Sequence, residues 1–282
     1  MNLKNSLIFF LAKNIILKNK KFKDLHMGES CYLFGNAKSL KYYDLSLFSD
    51  RVSIGCNSLF LHKDFGHIDC QYYYNGDPFY LYPYWRNQYT RKIEKNVLGA
   101  LYKKKIREYS NTNFFINISD YPTTRGKNIH YVHNYGHHFT NYTDCSLDGI
   151  FSANQSGLSS MLGMAIYLGF KDITLVGFDS LLIPKASEHF YEYGELDLDH
   201  EATELHKEYV KNAQEFLELR VVSPNDSYKG HIIPHIQYDE LTGEDLKFKE
   251  NHEIISNDDL NVLRNCNYNF SITENLFKKN NA

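Results

Sequence analysis

Short apolar segments, rich in β-branched and aromatic residues, alternate with longer segments of helical pattern along most of this chain. The apolar segments predict seven strands, at residues 31–34, 52–56, 70–74, 113–118, 129–132, 172–176 and 220–222. Strands that alternate with helices are typical of a parallel sheet covered by helices. The pattern therefore predicts an α/β fold with a Rossmann-like, doubly wound and mostly parallel sheet, as a single domain over residues 28–270.

Three further segments have a helical pattern. Residues 158–168 are apolar on nearly every side, which predicts a helix buried against the sheet. Residues 200–218 are amphipathic and predict an exposed helix that Asp199 caps. The basic segment 86–107 predicts a solvated helix face, with a grip on an anionic acceptor as the alternative.

The first 27 residues form a separate basic leader, in which apolar runs are interleaved with lysines. The leader is too short and too charged to span a bilayer, which takes about 20 apolar residues. It also lacks the small-residue cleavage site of a signal peptide. Two interpretations stay open: an amphipathic helix at the cytoplasmic face of the inner membrane, or a helix packed on the domain. Residues 271–282 are predicted to be a frayed tail.

Composition excludes some classes of function. The formal net charge of −3 and the pI near 6.5 give no global basic field, which argues against a nucleic-acid partner. The five cysteines are scattered and odd in number, which favours reduced thiols and a cytoplasmic location.

Small and polar residues follow several of the predicted strands, where an open parallel sheet binds its ligands. They are Gly35-Asn36, Asn57, Asn75 and Gly177-Phe178-Asp179. A glycine turn lets backbone N–H groups approach an anion, and the next helix points its positive end at it. The asparagine amides suit a ribose, a pyrimidine edge or a sugar, although asparagine is also common in turns without a ligand. The pattern predicts a nucleotide site.

The order of these motifs resembles a known family. In sequence order they are Gly-Asn-x-x-Ser-Leu-Lys (35–41), Cys-Asn (56–57), Tyr-Asn (74–75), Ser-Gly (156–157), Leu-Gly-Phe-Lys-Asp-Ile (168–173) and Gly-Phe-Asp (177–179). From about residue 28 to 240 the chain resembles bacterial sialyltransferases that use CMP-activated sialic acid to cap lipooligosaccharides. The wider group includes flagellin-modifying motility accessory factors and the archaeal hydroxymethylpterin pyrophosphokinase. The resemblance implies a GT-A-like variant of the fold with a lid around residues 181–199.

The resemblance also implies site residues. Gly35 and Asp179 lie in the two glycine turns, and the implied donor-nucleotide contacts are Asn36, Ser39, Asn57, Asn75, Ser156 and Gly157. The family's first turn usually reads Gly-Asn-Gly-Pro-Ser-Leu, whereas Ala37-Lys38 stand here in place of Gly-Pro. In the later polar loop 223–230, Lys229 has the charge that best suits the phosphate, and a polar loop with no ligand role stays open as the alternative.

In the resembling family a histidine before a late helix is the general base, and two tyrosines on the preceding loop hold the phosphate. By position His200 matches the base, while His189 and Tyr191 match the phosphate-holding part. His189 and His206 stay open as alternative bases.

The implied reaction is inverting transfer of a nonulosonic acid or similar keto-sugar (sialic, legionaminic or pseudaminic acid, or Kdo) from a CMP donor. The implied acceptor is a bacterial surface glycan, as in lipopolysaccharide or capsule biosynthesis, or a flagellin precursor. No metal is required, and self-association into a homo-oligomer is left open.

Two other functions stay open. Asp197-Leu198-Asp199 is an Asp-x-Asp motif of the kind that holds Mn²⁺ or Mg²⁺ on a diphosphate, as an ATP-dependent pterin pyrophosphokinase would need. The other is a non-catalytic nucleotide- or glycan-binding module. His133, His137 and His138 lack a cysteine or carboxylate to complete a metal site and are expected on an acceptor face or at the surface.

Overall fold

The computed structural model describes residues 3–76, 81, 92–134, 141–143, 145–182, 189–193, 204–224, 233–266, 274–275 and 278–279. Within these residues, eight strands form one sheet in which every neighbouring pair is parallel. The strands are β1 (Ser30–Phe34), β2 (Ser53–Cys56), β3 (Cys70–Asn75), β4 (Asn113–Asn117), β5 (Ile129–Val132), β6 (Asp172–Val176), β7 (Glu218–Ser223) and β8 (His235–Gln237).

The strand order is β5-β4-β3-β2-β1-β6-β7-β8, so the predicted parallel, doubly wound α/β sheet is confirmed. All seven predicted strands are present, with small differences at their ends. The predicted fourth strand ends one residue early, because the Asn117 side chain accepts a hydrogen bond from Ser119 N–H and starts a 3₁₀ turn. The sequence did not predict β8, which has three partly buried residues and no apolar run.

The helices are α1 (Leu3–Ile16), α2 (Lys92–Glu108), α3 (Gly157–Leu168), α4 (Asp179–Leu182), α5 (Glu204–Ala213), α6 (Tyr238–Thr242), α7 (Asn251–Ile254) and α8 (Asn257–Cys266). Short 3₁₀ helices lie at Leu17–Phe22, Lys38–Lys41, Leu45–Phe48, Leu59–Leu61, Lys63–Gly66 and Ile118–Asp120.

Two apolar layers cover the sheet, because successive side chains of each strand point to opposite faces. Leu33 of β1 faces a layer built largely from α3, whereas Tyr32 and Phe34 face a layer that includes α2, α8 and several 3₁₀ helices. The predicted buried helix is therefore confirmed as α3. The basic segment contributes α2, which buries Leu98, Tyr102 and other apolar residues in the second layer and exposes much of its polar face.

The predicted helix over residues 200–218 is wrong at its end. The described helix α5 stops at Ala213, and Glu218 already belongs to β7. Glu218 N–H donates to Lys171 O at 2.9 Å, and Leu217 is buried in the core, so pairing with β6 overrides the helical pattern. Asp199, the predicted cap, lies outside the described residues.

The leader packs on the domain along one side. Ala12, Ile16, Asn19 and Phe22 are buried, and Asn19 Nδ2 donates to the carbonyls of Tyr131 and Leu147 at 2.8 Å each. In the part of the chain that the structure describes, we find no helix with the length and apolar character needed to cross a membrane. Near the C-terminus, Glu274 is buried and accepts a hydrogen bond from Arg264 Nε at 2.8 Å.

Candidate functional site

The strand order reverses between β1 and β6, which is where open α/β sheets bind ligands. Gly35 and Gly177 follow these two strands and touch. Gly35 N–H donates to Val176 O at 2.8 Å, and Ala37 N–H donates to Gly177 O at 3.1 Å. A Cβ atom at Gly35 would lie 2.1 Å from Gly177 O, so any side chain there would force the two turns apart. The first glycine turn is thus the meeting point of both halves of the sheet.

Asn36 joins this turn to the end of β2. Its Nδ2 donates to Cys56 O at 2.9 Å, and its Oδ1 accepts from Ser58 N–H at 3.1 Å. Its carbonyl accepts from Phe190 N–H at 2.9 Å. Both ends of the Asn36 amide are therefore engaged with backbone, which gives this side chain a positioning role in the turn; its predicted contact with a nucleotide stays a prediction.

Asn57 sits between the two backbone groups that Asn36 holds. It is exposed and adopts a left-handed backbone conformation with φ of 53°, and its carbonyl accepts from Tyr73 Oη at 2.8 Å. A Cβ atom at Gly157 would lie 3.3 Å from Asn57 Nδ2. The Asn57 amide therefore lies against the N-terminus of α3, whose first-turn N–H groups have no partner within the helix. An exposed amide beside a helix N-terminus suits an anionic ligand that also carries polar groups.

Ser156 organises the N-terminus of α3. Its Oγ accepts from Ser159 N–H at 3.1 Å, and Ser159 Oγ accepts from Ser156 N–H at 2.9 Å, forming a capping box. The Ser156 hydroxyl and N–H group therefore serve the capping box, and a ligand at this helix end would bind the first-turn N–H groups that the capping box does not use, such as that of Gly157.

Ser39 and Asp179 fasten the first turn to the turn after β6. Ser39 N–H donates to Asp179 Oδ2 at 2.8 Å, and both residues are buried. Burial raises the pKa of Asp179 to about 6, against the lowering effects of its hydrogen bonds with Ser39 and of nearby Lys38. This buried contact fixes the position of the two turns relative to each other.

The ends of β3, β4 and β5 carry a second set of asparagines that the sequence analysis did not connect, which we call the asparagine network (Asn117, Asn134, Asn154 and Tyr74). Asn117 Nδ2 donates to Asn134 Oδ1. Asn134 Nδ2 donates to Tyr74 Oη at 3.0 Å and to Gly76 O at 3.1 Å, and Asn154 Nδ2 donates to Asn134 O. Asn117 ends β4 and Asn134 follows β5, just as Asn75 ends β3. This shared position at strand ends was the signal in the sequence that could have connected them.

Asn75 lies beside this network along the sheet and is only 4% exposed. Its Nδ2 has no hydrogen-bond partner in the part of the chain that the structure describes. A buried donor without an acceptor costs about 1–3 kcal/mol. Asn75 is therefore the buried asparagine of this edge with a donor available to a ligand.

Asp120, in the 3₁₀ helix after β4, is a second group that the sequence analysis missed. It is fully buried, and neither carboxylate oxygen has a hydrogen-bond partner in the described structure. Burial raises the pKa of Asp120 to about 8, and Lys103 offsets only part of this shift. Nothing in its local sequence distinguishes this aspartate from a surface residue.

His189 is attached directly to the first glycine turn. It forms an isolated antiparallel bridge with Ala37, and its neighbour Phe190 donates to Asn36 O. His189 Nδ1 lies 3.4 Å from Glu192 Oε1, and the imidazole stacks on Tyr191 with ring centroids 5.0 Å apart. The His189 side chain is 37% exposed, while that of Glu192 is 6% exposed. The sequence analysis missed Glu192, for which the His-x-x-Glu spacing is the only local signal.

Glu192 Oε2 accepts from His189 N–H at 3.3 Å, which places the carboxylate beside the ring, while Nδ1 has no hydrogen-bond partner among the described residues. A partly exposed imidazole beside a buried carboxylate can take and return a proton. Tyr191 is buried, with its ring against His189, and its carbonyl accepts from Asn251 Nδ2 at 2.6 Å. Tyr191 thereby ties the histidine segment to α7.

Several predicted residues lie outside the described residues: Asp197, Asp199, His200, Lys229, His137 and His138. His206 belongs to α5, but its side chain is likewise outside the description. The prediction that His133 lies on an acceptor face or at the surface is wrong. His133 follows β5, is fully buried and contacts the Phe9 ring at 5.6 Å, because the leader covers it. Among the described residues, no group of three or more His, Cys, Asp or Glu could hold a metal ion.

Comparisons with known proteins give the following. No family model matches the chain, and no curated protein sequence matches it. Among solved structures, the chain is similar to the sialyltransferase CstII from Campylobacter jejuni in complex with cytidine-5'-monophosphate, with 15% identity, a TM-score of 0.43, and 84% of this chain and 98% of that one covered. It is also similar to a CST-II sialyltransferase in complex with a trisaccharide acceptor and CMP, with 15% identity, a TM-score of 0.42, and coverage of 79% and 92%. At these values the likeness is partial.

Proposed function

We propose that this chain is a glycosyltransferase that uses a CMP-activated keto-sugar, such as a nonulosonic acid, and transfers it with inversion to a bacterial surface glycan or flagellin precursor. The observation that carries the proposal is that four features meet at the switch point between β1 and β6. They are the first glycine turn, exposed Asn57, the N-terminus of α3 and the pair His189–Glu192. The order of motifs along the sequence supports the choice of a CMP-sugar.

The donor would bind along the ends of β1, β2 and β3. The amides of Asn57 and Asn75 offer hydrogen-bond donors and acceptors without charge, as a cytosine edge or a ribose requires. The N-terminus of α3 favours a negative charge, and a CMP-sugar brings one phosphate group. One helix N-terminus could balance the charge of this single phosphate group without a metal ion.

In the proposed reaction the acceptor hydroxyl oxygen attacks the anomeric carbon of the keto-sugar. His189 takes the hydroxyl proton, the bond from the anomeric carbon to the phosphate oxygen breaks, and CMP leaves with that electron pair. Glu192, which lies beside the ring, would orient the imidazole. Fixed N–H groups at the α3 N-terminus would stabilise the charge that develops on the phosphate. His200 remains the alternative base from the sequence.

The test is thermal stability against CMP, UDP, GDP and ATP, each with and without Mg²⁺. A ligand at about 100 times its Kd stabilises the folded state by about 2.7 kcal/mol. We expect selective stabilisation by CMP without metal. The response should be lost in Asn57→Gly, which keeps the left-handed backbone conformation, and retained in Asn111→Gly, a matched exposed asparagine just before β4 at the other edge of the sheet.

Other outcomes contradict the proposal. Stabilisation by ATP only in the presence of Mg²⁺ would favour the pyrophosphokinase hypothesis. An equal CMP response in Asn57→Gly and the unmodified chain would move the nucleotide away from this site. No response to any nucleotide would favour a non-catalytic module.

A further inference from the structure

The leader has two different faces. Ala12, Ile16, Asn19 and Phe22 follow helical spacing and are buried against the domain. The hydrogen bonds of Asn19 fix the rotation of this segment about its axis. The opposite face therefore points to solvent in a defined orientation.

That outer face is apolar where a helix on a globular domain is usually polar. Phe10 is 73% exposed, Leu11 is 72% exposed, and Leu17, one helical repeat further on, is 40% exposed. Six large hydrophobic side chains are exposed in the described part of the chain, and five of them lie between residues 10 and 27. The exposed apolar surface is thus concentrated on the leader rather than scattered.

The same segment concentrates positive charge. Six lysines and no acidic residue lie in the first 23 positions, whereas the remaining residues hold 25 basic and 34 acidic side chains. Lys13, Lys18 and Lys20 are exposed beside the apolar face, whereas the Lys21 ammonium lies 4.7 Å from the centroid of the Phe22 ring. A second copy of this chain would bring the same positive charge to the contact, which disfavours self-association through this face.

We propose that the outer face of residues 10–21 binds the surface of an anionic phospholipid bilayer. Phe10, Leu11 and Leu17 enter the boundary between headgroups and acyl chains, and the neighbouring lysines contact the headgroups. Exposed apolar and cationic side chains on one helix face are the combination that such a surface binds.

The position of the leader relates this surface to the candidate site. Phe9 contacts His133 just after β5, and Phe22 contacts His130 near the start of β5 with ring centroids 4.7 Å apart. The leader therefore runs antiparallel to β5, and Phe10 and Leu11 lie toward the carboxyl edge of the sheet. A bilayer bound there would lie beside the edge that carries the glycine turn.

The experiment is co-sedimentation of the full chain with vesicles of phosphatidylcholine alone and of phosphatidylcholine with about a third phosphatidylglycerol. We expect binding to the anionic vesicles that weakens as salt rises. Phe10→Ser with Leu11→Ser should weaken it at least about 10-fold through lost apolar burial. Lys13→Gln, Lys18→Gln and Lys20→Gln together should weaken it by a similar factor or more and reduce its salt dependence.

The matched controls are Leu47→Ser and Lys127→Gln, an exposed leucine and an exposed lysine outside the leader, which should bind as the unmodified chain does. Each variant's melting temperature separates lost binding from misfolding. Equal binding to both kinds of vesicle, or unchanged binding of the leader variants, would overturn the proposal. So would a dimer that dissociates in Phe10→Ser with Leu11→Ser while vesicles bind neither protein. The assay needs no nucleotide, so its failure is distinct from failure of the proposed function.

Discussion

The carboxyl edge of the sheet has two halves that use the same residue type in different ways. At the ends of β3, β4 and β5, Asn117 and Asn134 hydrogen-bond to each other and, through Asn134, to Tyr74 and the backbone. At the ends of β1 and β2, Asn36 engages the backbone with both ends of its amide and leaves Asn57 exposed. In the first half, which we call the closed half, the side chains hydrogen-bond to one another. The second half, which we call the open half, presents polar groups to solvent beside a helix N-terminus.

This difference teaches that an asparagine after a strand does not by itself identify a ligand contact. The neighbouring groups decide whether the amide can bind a ligand, because an amide that is already hydrogen-bonded to buried partners has no capacity left. Asn75 belongs to the closed half by burial but has a donor without a partner. It is the residue through which a nucleotide could reach from the open half into the closed one.

The largest expected effect tests the chemistry of the open half. His189→Ala should lower turnover by about 10²–10⁴-fold, the range for loss of a general base, with little change in melting temperature because the side chain is partly exposed. His67→Ala, an exposed histidine before β3 at the other edge, should keep full turnover. Steady-state kinetics with a CMP-sugar donor measure both. Near-normal turnover of His189→Ala would transfer the role to His200, and near-normal turnover of both His189→Ala and His200→Ala would refute the mechanism.

The next effect concerns the buried carboxyl group of the closed half. The pKa of Asp120 is about 8 in the folded state, above its value in the unfolded chain, so the folded state keeps the proton that the unfolded state loses. The contribution of Asp120 to the free energy of unfolding should therefore fall as pH rises from about 4 to about 8. The Asp120→Asn side chain does not titrate, so the variant lacks this pH-dependent loss of stability. The free energy of unfolding of Asp120→Asn minus that of the unmodified chain should therefore rise by on the order of 3 kcal/mol between pH 5 and pH 8.

Urea unfolding at several pH values measures this difference. Asp258→Asn, at an exposed position in α8, is the matched control; because it keeps Asp120, its free energy of unfolding should vary with pH as that of the unmodified chain does. A constant difference between Asp120→Asn and the unmodified chain across this pH range would mean that Asp120 is ionised in the folded state.

The smallest effect compares one asparagine from each half. Asn134→Ala should lower the free energy of unfolding by about 2 kcal/mol, because it removes the buried hydrogen bonds that Asn134 makes with Asn117 and Tyr74. Asn57→Gly should change it by less than about 1 kcal/mol, since the exposed side chain is removed and the left-handed conformation is kept. Urea unfolding gives both values. The reverse ranking would show that the closed and open halves have been assigned the wrong way round.

The sequence by itself determined the strands, the buried helix α3 and the polar residues at the strand ends. These features depend on local properties: β-branched and aromatic runs, a helix that is apolar on nearly every side, and glycine or asparagine where the chain turns. The parallel α/β class followed from their alternation. Beyond the end of β7, the three-residue strand β8 had no such local signal, and Glu218 joined a strand against its helical pattern.

Only the tertiary structure decided which of the polar residues meet and which stay available. The return of β6 to the side of β1 brings Gly35 against Gly177, and the bridge from Ala37 attaches His189 and Glu192 to the first turn. Partners so distant along the chain are chosen by strand order and packing, which no local pattern encodes. The same holds for burial. Packing of the layers on the sheet excludes water from Asp120 and decides which face of the leader is buried and which is exposed.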